Sequence, residues 1–263
     1  MGIAPEEFER CLPGAEVDML AISGSSPMAV LENLACDEEF VGTVICSIFG
    51  SRFLPMRWES QRPHVAYYEE EWSASLRFSV DVDVLLEERL NLLHERFSYQ
   101  VLWSELFGIS RYLQYGLLRA DRFMESRPDK YFLERAKEQG RIVAEREAVP
   151  QPVGRTPEDM EDSYAKVEDS VSKLIRRGCH VVFVRMPTSG WTWKRDQQSY
   201  PKNKYWDRFA QQTSAETFHF KDYTSLSGFE CPDGSHLDYS DAVRFTRAFA
   251  ELLLQNHSIV GSQ

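Results

Sequence analysis

Short apolar runs alternate with helically spaced apolar residues near both ends of the chain. The segment EVDMLAI, Glu16 to Ile22, predicts a strand. Helical spacing follows in SPMAVLENLACD, where Met28 and Leu31 fall on one face. The glycine-bounded run GTVICSIFG, which ends at Gly50, is typical of a buried parallel strand. Together these segments predict a β-α-β unit.

The same order returns in the C-terminal part of the chain. Thr156, Pro157 and the acidic residues behind them predict the start of a helix, and Gly178 predicts its end. A strand CHVVFVRMP, a second strand near AETFHF and a final helix follow. Strands that alternate with helices in this way indicate an α/β fold with a parallel sheet.

The middle of the chain, at about 67–148, has a different pattern. It is rich in Leu, Arg, Glu and aromatic residues, and LLEERLNLLHERFSYQVLWSELFG has the clearest helical spacing. The run LRFSVDVDV is compatible with either a strand or a helix, and AVPQPVGRTP suits an exposed connector. We therefore predict one α/β domain over 1–263 with a helical insertion at about 67–148.

Composition excludes several classes of function. The net charge of −11 argues against a nucleic-acid partner, because phosphate contacts need clustered Lys and Arg. No apolar run approaches the length of a membrane span, and the start has no signal-peptide pattern, which predicts a cytoplasmic protein. The 5 cysteines lack CxxC spacing, and no metal or nucleotide motif is present. We expect no metal and no cofactor.

Candidate chemistry lies just before the final helix, in the segment FECPDGSHLDYSD. An Asp beside a His, here Asp233 and His236, can orient the imidazole so that it takes a proton from a hydroxyl group. The spacing also fits a plain turn, with Ser235 or Asp238 capping the next helix and His236 on the surface. The spacing alone leaves both interpretations open.

Two segments resemble blocks of the SGNH/GDSL hydrolase superfamily. PDGSHLDYSDAVRFTRAFAELL is similar to its D-x-x-H block, and LAISGSSPMAVLENLA is similar to the block that carries an oxyanion-hole glycine. The resemblance implies a flavodoxin-like, three-layer fold around a parallel sheet. It also implies that His236 is the general base, that Asp233 orients it, and that Gly24 with Ser25 forms the oxyanion hole.

Two arginines are candidate substrate contacts. The G-x-N-D block of the family corresponds here to Gly50-Ser51-Arg52-Phe53, so Arg52 either replaces the asparagine as an oxyanion donor or is an ordinary surface arginine. Arg185 follows an apolar strand, where ligands bind in open α/β sheets. It either binds an anionic substrate group or pairs with the acids of the insertion.

The nucleophilic serine is the main departure from the family. Its G-D-S type motif would fall before Met1, which suggests a chain that begins after its first strand, through a late start or a lost front end. A rival assignment makes Ser25 or Ser26 of ISGSSP the nucleophile at a helix N-terminus. A third possibility is that these serines only cap the helix.

The resemblance implies a serine ester hydrolase or O-acyltransferase that acts on an acylated small molecule or carbohydrate, inactive as given if the nucleophile block is missing. The alternative is a non-catalytic module of the same fold that binds a ligand or partner. A longer form with an upstream anchor would be membrane-anchored or exported. Neither the oligomeric state nor the acyl group follows from the sequence.

Overall fold

A computed structural model of the chain describes residues 2–21, 26–70 and 156–256, two short segments at 116–118 and 124–126, and five single positions at 73, 75, 78, 79 and 82. The helices are α1 (Pro5–Cys11), α2 (Met28–Cys36), α3 (Pro55–Glu59), α4 (Arg62–Glu70), α5 (Glu161–Arg176), α6 (Gly190–Ser199), α7 (Trp206–Gln212), α8 (Thr224–Ser227) and α9 (Tyr239–Gln255). The strands are β1 (Thr43–Ser47), β2 (Gly116–Leu118), β3 (Met124–Ser126), β4 (His180–Arg185) and β5 (Glu216–His219).

The central sheet has the order β1-β4-β5, and both neighbouring pairs are parallel. Ile45 lies opposite Val182, and Phe183 lies opposite Thr217. Because parallel strands need crossover connections, the helices between them lie on the faces of the sheet. The described part of the chain is therefore an α/β fold with a small parallel sheet, which confirms the coarse prediction.

Each face of the sheet is covered by its own hydrophobic cluster. We name the first the α2/α5 cluster; it includes Met28, Leu31, Val44, Cys46, Tyr164, Val171, Leu174, Val181, Phe183 and Phe209. We name the second the α1/α9 cluster; it includes Phe8, Leu12, Val182, Val184, Phe218, Phe220, Phe245, Phe249 and Leu253. Successive side chains of β4 enter opposite clusters, as the two-residue period of a strand requires.

Several helix ends follow the sequence signals. Gly178 has φ of 86°, a conformation that favours glycine, just after the end of α5. Asp238 caps α9, since its Oδ1 accepts a hydrogen bond of 2.9 Å from the backbone N–H of Asp241. Of the two residues suggested as the cap, the structure therefore selects Asp238.

No helix within the described residues is long and apolar enough to cross a membrane.

The predicted strand at Glu16 to Ile22 is wrong over its described part. Residues 16–21 form no strand, and Ile22 lies outside the described residues. The backbone N–H of Val17 donates instead to the Glu9 carboxylate, at 2.9 Å. In the described sheet the strand beside β1 is β4, so residues 16–21 do not pair with β1 there. An extended segment gains little stability as a strand when no neighbouring strand pairs its N–H and C=O groups.

Most of the predicted insertion lies outside the described residues, including the clearest helical stretch. Residues 67–70 belong to the end of α4, which agrees with helix there. In contrast, β2 and β3 form a short antiparallel pair, with Leu117 opposite Glu125. The prediction that this region is mostly helical therefore misses this one antiparallel pair. Strands of three residues are too short to give a recognisable spacing of apolar residues.

Candidate functional site

The carboxyl ends of the three parallel strands form one rim, as expected for ligand sites in open α/β sheets. The turn containing Asp233 and His236 is tied to this rim through the loop after β4. The backbone N–H of Ser189 donates to the carbonyl of Gly234 at 2.9 Å, and the Ser189 hydroxyl accepts from the N–H of Cys231 at 2.9 Å. The turn before α9 is thus held at the carboxyl end of the sheet.

Asp233 and His236 are in direct contact. Asp233 Oδ2 lies 2.8 Å from His236 Nδ1, and Asp233 Oδ1 accepts the backbone N–H of His236, also at 2.8 Å. The predicted carboxylate–imidazole contact is therefore confirmed. The Asp233 side chain is 9% exposed and the His236 side chain 40% exposed, so the carboxylate is sheltered while the ring reaches solvent.

The hydrogen bonds of this turn fix the orientation of the imidazole. The Ser235 hydroxyl lies 2.9 Å from His236 Nδ1 and 3.3 Å from Asp233 Oδ1, so it is placed to accept from the ring and donate to the carboxylate. An ionised carboxylate only accepts hydrogen bonds, which assigns the ring proton to Nδ1. Nε2 is then the basic nitrogen, as a general base requires.

Gly234 is required by both conformation and space. Its φ is 87°, and a Cβ at this position would lie 2.6 Å from Thr192 Oγ1 and 3.3 Å from the carbonyl oxygen of Ser189. A larger residue would push the turn away from the first turn of α6. The glycine between the Asp and the His therefore lets the pair dock closely on this helix.

The loops after β1 and before α2 also meet near this rim. The Ser26 hydroxyl donates to the carbonyl of Arg52 at 2.7 Å and accepts from the N–H of Met28 at 3.3 Å. Ser26 is 1% exposed, so its hydroxyl is enclosed and used in structural contacts. This geometry favours the capping role over the nucleophile role for Ser26. Gly24 and Ser25 lie outside the described residues, and their predicted oxyanion roles stay predictions.

Arg52 lies in the short 3-10 turn Gly50–Phe53 that follows β1. Burial, together with the nearby charge of Arg57, lowers the pKa of its guanidinium from its usual value. Its backbone carbonyl accepts hydrogen bonds from Ser26 and, at 3.2 Å, from Trp58 Nε1. The backbone of Arg52 thus joins the two loops, and its predicted role as an oxyanion donor stays a prediction.

Arg185 is buried at the end of β4 and is bound to neighbours on its own domain. Its Nη2 lies 2.6 Å from Asp196 Oδ2 and 3.1 Å from Thr188 Oγ1, and its guanidinium stacks 4.1 Å from the centre of the Phe49 ring. The expected ion pair therefore exists, but its described partner is Asp196 of α6 and not an acid of the insertion. Burial lowers the pKa of Arg185 to about 10, which leaves it charged at neutral pH.

This arrangement favours a supporting role for Arg185. With 6% of its surface exposed, the residue presents little of its guanidinium to a ligand. The pair instead fixes α6, which follows Ser189 and carries Thr192 in its first turn, against the end of β4. Its predicted contact with an anionic substrate stays a prediction.

His219, at the carboxyl end of β5, was missed by the sequence analysis. It is 3% exposed, and burial, with the charges of Arg185, Lys202 and Lys221, lowers its pKa to about 3. A cavity of about 30 Å³ lies beside it and also touches Phe49 and Arg185. This is far below the ~300–1,000 Å³ of typical ligand pockets, so the cavity is too small for an organic substrate. No motif marks His219, because its burial depends on how β5 is covered.

The family-specific expectations have no support from comparisons with known proteins. Comparison of the chain with protein families, curated proteins and solved structures found no match. Among the residues that the structure describes, no group of three or more His, Cys, Asp or Glu side chains is arranged to hold a metal ion.

Proposed function

We propose that the turn Asp233–His236 is the acid–base half of a serine-hydrolase site of SGNH type. The substrate class is an ester of a small molecule or carbohydrate, and the reaction is ester hydrolysis or O-acyl transfer. The observation that carries this proposal is the 2.8 Å contact between Asp233 Oδ2 and His236 Nδ1. A sheltered carboxylate behind a solvent-facing imidazole, at the carboxyl rim of a parallel sheet, is the arrangement that general-base catalysis uses.

The finer fold assignment belongs to the same proposal. A flavodoxin-like, three-layer arrangement is supported by parallel strands with helices on both faces. The hydrogen bond from the Ser26 hydroxyl to the Arg52 carbonyl adds further support, because it joins the loop just before α2 to the loop after β1.

Each group has a defined role in the proposed reaction. His236 Nε2 takes the proton of a hydroxyl nucleophile as the hydroxyl oxygen attacks the ester carbonyl. Asp233 stabilises the imidazolium that forms, and the ring then returns the proton to the leaving alcohol. Water or a sugar hydroxyl subsequently accepts the acyl group by the same sequence in reverse.

Hydrolysis of 4-nitrophenyl acetate by the chain tests the base, because His236 Nε2 can activate water to attack this reactive ester even without a serine nucleophile. We expect His236→Ala to lower the rate by about a hundredfold or more, since a positioned base contributes about 10²–10⁴. Asp233→Asn should lower it too, because the amide no longer stabilises the charged ring. An unchanged rate in His236→Ala contradicts the proposal.

His180→Ala is the matched control for this experiment. His180 also faces a carboxylate, with Nε2 at 3.5 Å from Glu216 Oε1, but it begins β4 and lies at the opposite end of the sheet. Ester hydrolysis should therefore be unaffected by His180→Ala. Equal losses in the two variants would indicate nonspecific imidazole chemistry.

Labelling with a fluorophosphonate probe locates the nucleophile. We expect no labelling of this chain, since Ser26 is enclosed and Ser25 is proposed to belong to the oxyanion loop. Labelling that disappears in Ser25→Ala would move the nucleophile to Ser25.

The alternative function is a non-catalytic module that binds a ligand or partner at the same rim. The enclosed hydroxyl of Ser26 is the observation that favours it, because this serine is one of the two rival nucleophiles. Under this alternative, His236→Ala leaves ester hydrolysis unchanged and no serine is labelled.

A further inference from the structure

The outer edge of β1 has the properties of a strand that pairs with another strand. In the described sheet, β1 is bonded to β4 on one side only. Hydrogen bonds from His180 N–H to the Gly42 carbonyl, and from Ile48 N–H to the Val184 carbonyl, show which main-chain groups face β4. By the alternation of a strand, the groups of Thr43, Ile45 and Ser47 face away from it.

These outward groups have no hydrogen-bond partner among the described residues. Thr43 and Ser47 are exposed and Ile45 is half-buried, and no described strand covers this edge. Unpaired N–H and C=O groups in a row are a template for strand addition.

The β1 edge also lacks the features that protect edge strands. The run from Val41 to Phe49, VGTVICSIF, contains no proline and no charged residue, and Val41 is 69% exposed. In contrast, the other edge strand, β5, has only 4 residues and begins with Glu216. Of the two edges of the described sheet, β1 is therefore the one suited to pairing.

We propose that β1 is the contact strand of a dimer, in which it pairs antiparallel with β1 of a second copy of this chain. A two-fold axis reverses the direction of the second strand, so the pairing is antiparallel and the same residues serve both copies. With the axis at Ile45, Thr43 lies opposite Ser47, and Val41 lies opposite Phe49.

The chemistry of β1 is self-complementary in this register. Two small hydroxyl residues face each other, Ile45 faces itself, and about six main-chain hydrogen bonds form between the outward groups. The paired run Val41 to Phe49 has no charged residue, so no like charges are opposed within it although each chain has a net charge of −11.

Proline substitution on the outward positions is the decisive test. Thr43→Pro and Ser47→Pro each remove an N–H that faces the second copy, while the N–H groups that bond β4 stay in place. Sedimentation equilibrium should show a concentration-dependent dimer of the native chain. Each proline variant should raise the dissociation constant by about tenfold or more, because symmetry removes the bond twice.

Thr43→Ala and Ser47→Ala are the matched controls, since they change the side chain and keep the N–H. Both should dimerise nearly as the native chain does, and far-ultraviolet circular dichroism confirms that every variant is folded. Amide exchange gives a second measurement on the native chain: the N–H groups of Thr43, Ile45 and Ser47 should exchange more slowly as protein concentration rises.

A native chain that stays monomeric at high micromolar concentration overturns the proposal, as does a dimer that folded proline variants form with unchanged affinity. Concentration-independent protection of the three amides also overturns it, because the edge would then be covered within one chain. None of these measurements depends on the proposed hydrolase activity.

Discussion

At the scale of single residues, His219 lies at the rim with a strongly lowered pKa. Its Nδ1 accepts the N–H of Lys221 at 3.1 Å, which places the ring proton on Nε2. The ring stacks on Phe220 and packs edge-on against Trp206. Removal from water disfavours the charged form, and nearby cations disfavour it further, so the folded protein holds this histidine neutral.

The depressed pKa of His219 predicts a loss of stability in acid. In the unfolded chain the His219 side chain takes up a proton near pH 6.5, whereas in the folded chain it does so only near pH 3. Below pH 6.5 the unfolded state therefore binds more protons, and stability falls as pH falls toward 3. From pH 7 to pH 5 this residue should remove about 2 kcal/mol of unfolding free energy.

Urea unfolding of His219→Asn at both pH values checks this expectation. The asparagine oxygen can still accept the Lys221 N–H, but the side chain does not titrate. The loss between pH 7 and pH 5 should be smaller in the variant by about 2 kcal/mol. An equal loss in variant and native protein would show that His219 does not carry the acid sensitivity.

At the scale of elements, the docking of the Asp233–His236 turn on α6 decides the geometry of the site. Gly234→Ala should destabilise the protein and disturb the pair, because the new methyl group meets Thr192 Oγ1 at 2.6 Å. The backbone strain costs about 1–2 kcal/mol, and the clash adds about 1–3 kcal/mol. Urea unfolding measures the sum.

Gly178→Ala separates these two costs. Its φ of 86° is almost the same as that of Gly234, but a Cβ there has nothing within 4 Å. Gly178→Ala should therefore show the strain without the clash. Adding Thr192→Ala to Gly234→Ala should restore part of the lost stability, and no restoration would mean that Thr192 is not the obstacle.

At the scale of the whole molecule, two clusters on opposite faces of one sheet must form together. α1 closes the α1/α9 cluster, with the Phe8 ring 6.4 Å from that of Phe249. The Glu7 carboxylate, 3% exposed, pairs with Arg247 of α9 at 2.7 Å. The first described helix is thus fastened to the last one.

Core truncation tests whether both faces unfold as one unit. Phe8 is 4% exposed and Phe209 of the other cluster is fully buried, so each change to Ala should cost about 3–5 kcal/mol. Both variants should keep a single unfolding transition. Leu254→Ala, at a position 45% exposed, is the control and should cost much less. Two separate transitions in Phe8→Ala would show that the faces are independent.

Local pattern determined most of the regular elements. The apolar runs of β1 and β4 pair in parallel, and the spacing of α2, α5 and α9 placed their apolar faces on the sheet. The D-x-x-H spacing made a contact of Asp233 with His236 possible, since residues three apart in a turn can be neighbours, but it left a plain turn equally open.

The tertiary structure decided what depends on distant neighbours. Glu16 to Ala21 has the pattern of a strand, but no strand of the described residues lies beside it, and pairing between strands is what makes an extended segment a strand. Arg185 pairs with Asp196, and His219 is removed from water, because packing brings β4, β5 and α6 together. Sequence patterns report local periodicity, whereas burial and charge pairing arise only when separate elements meet.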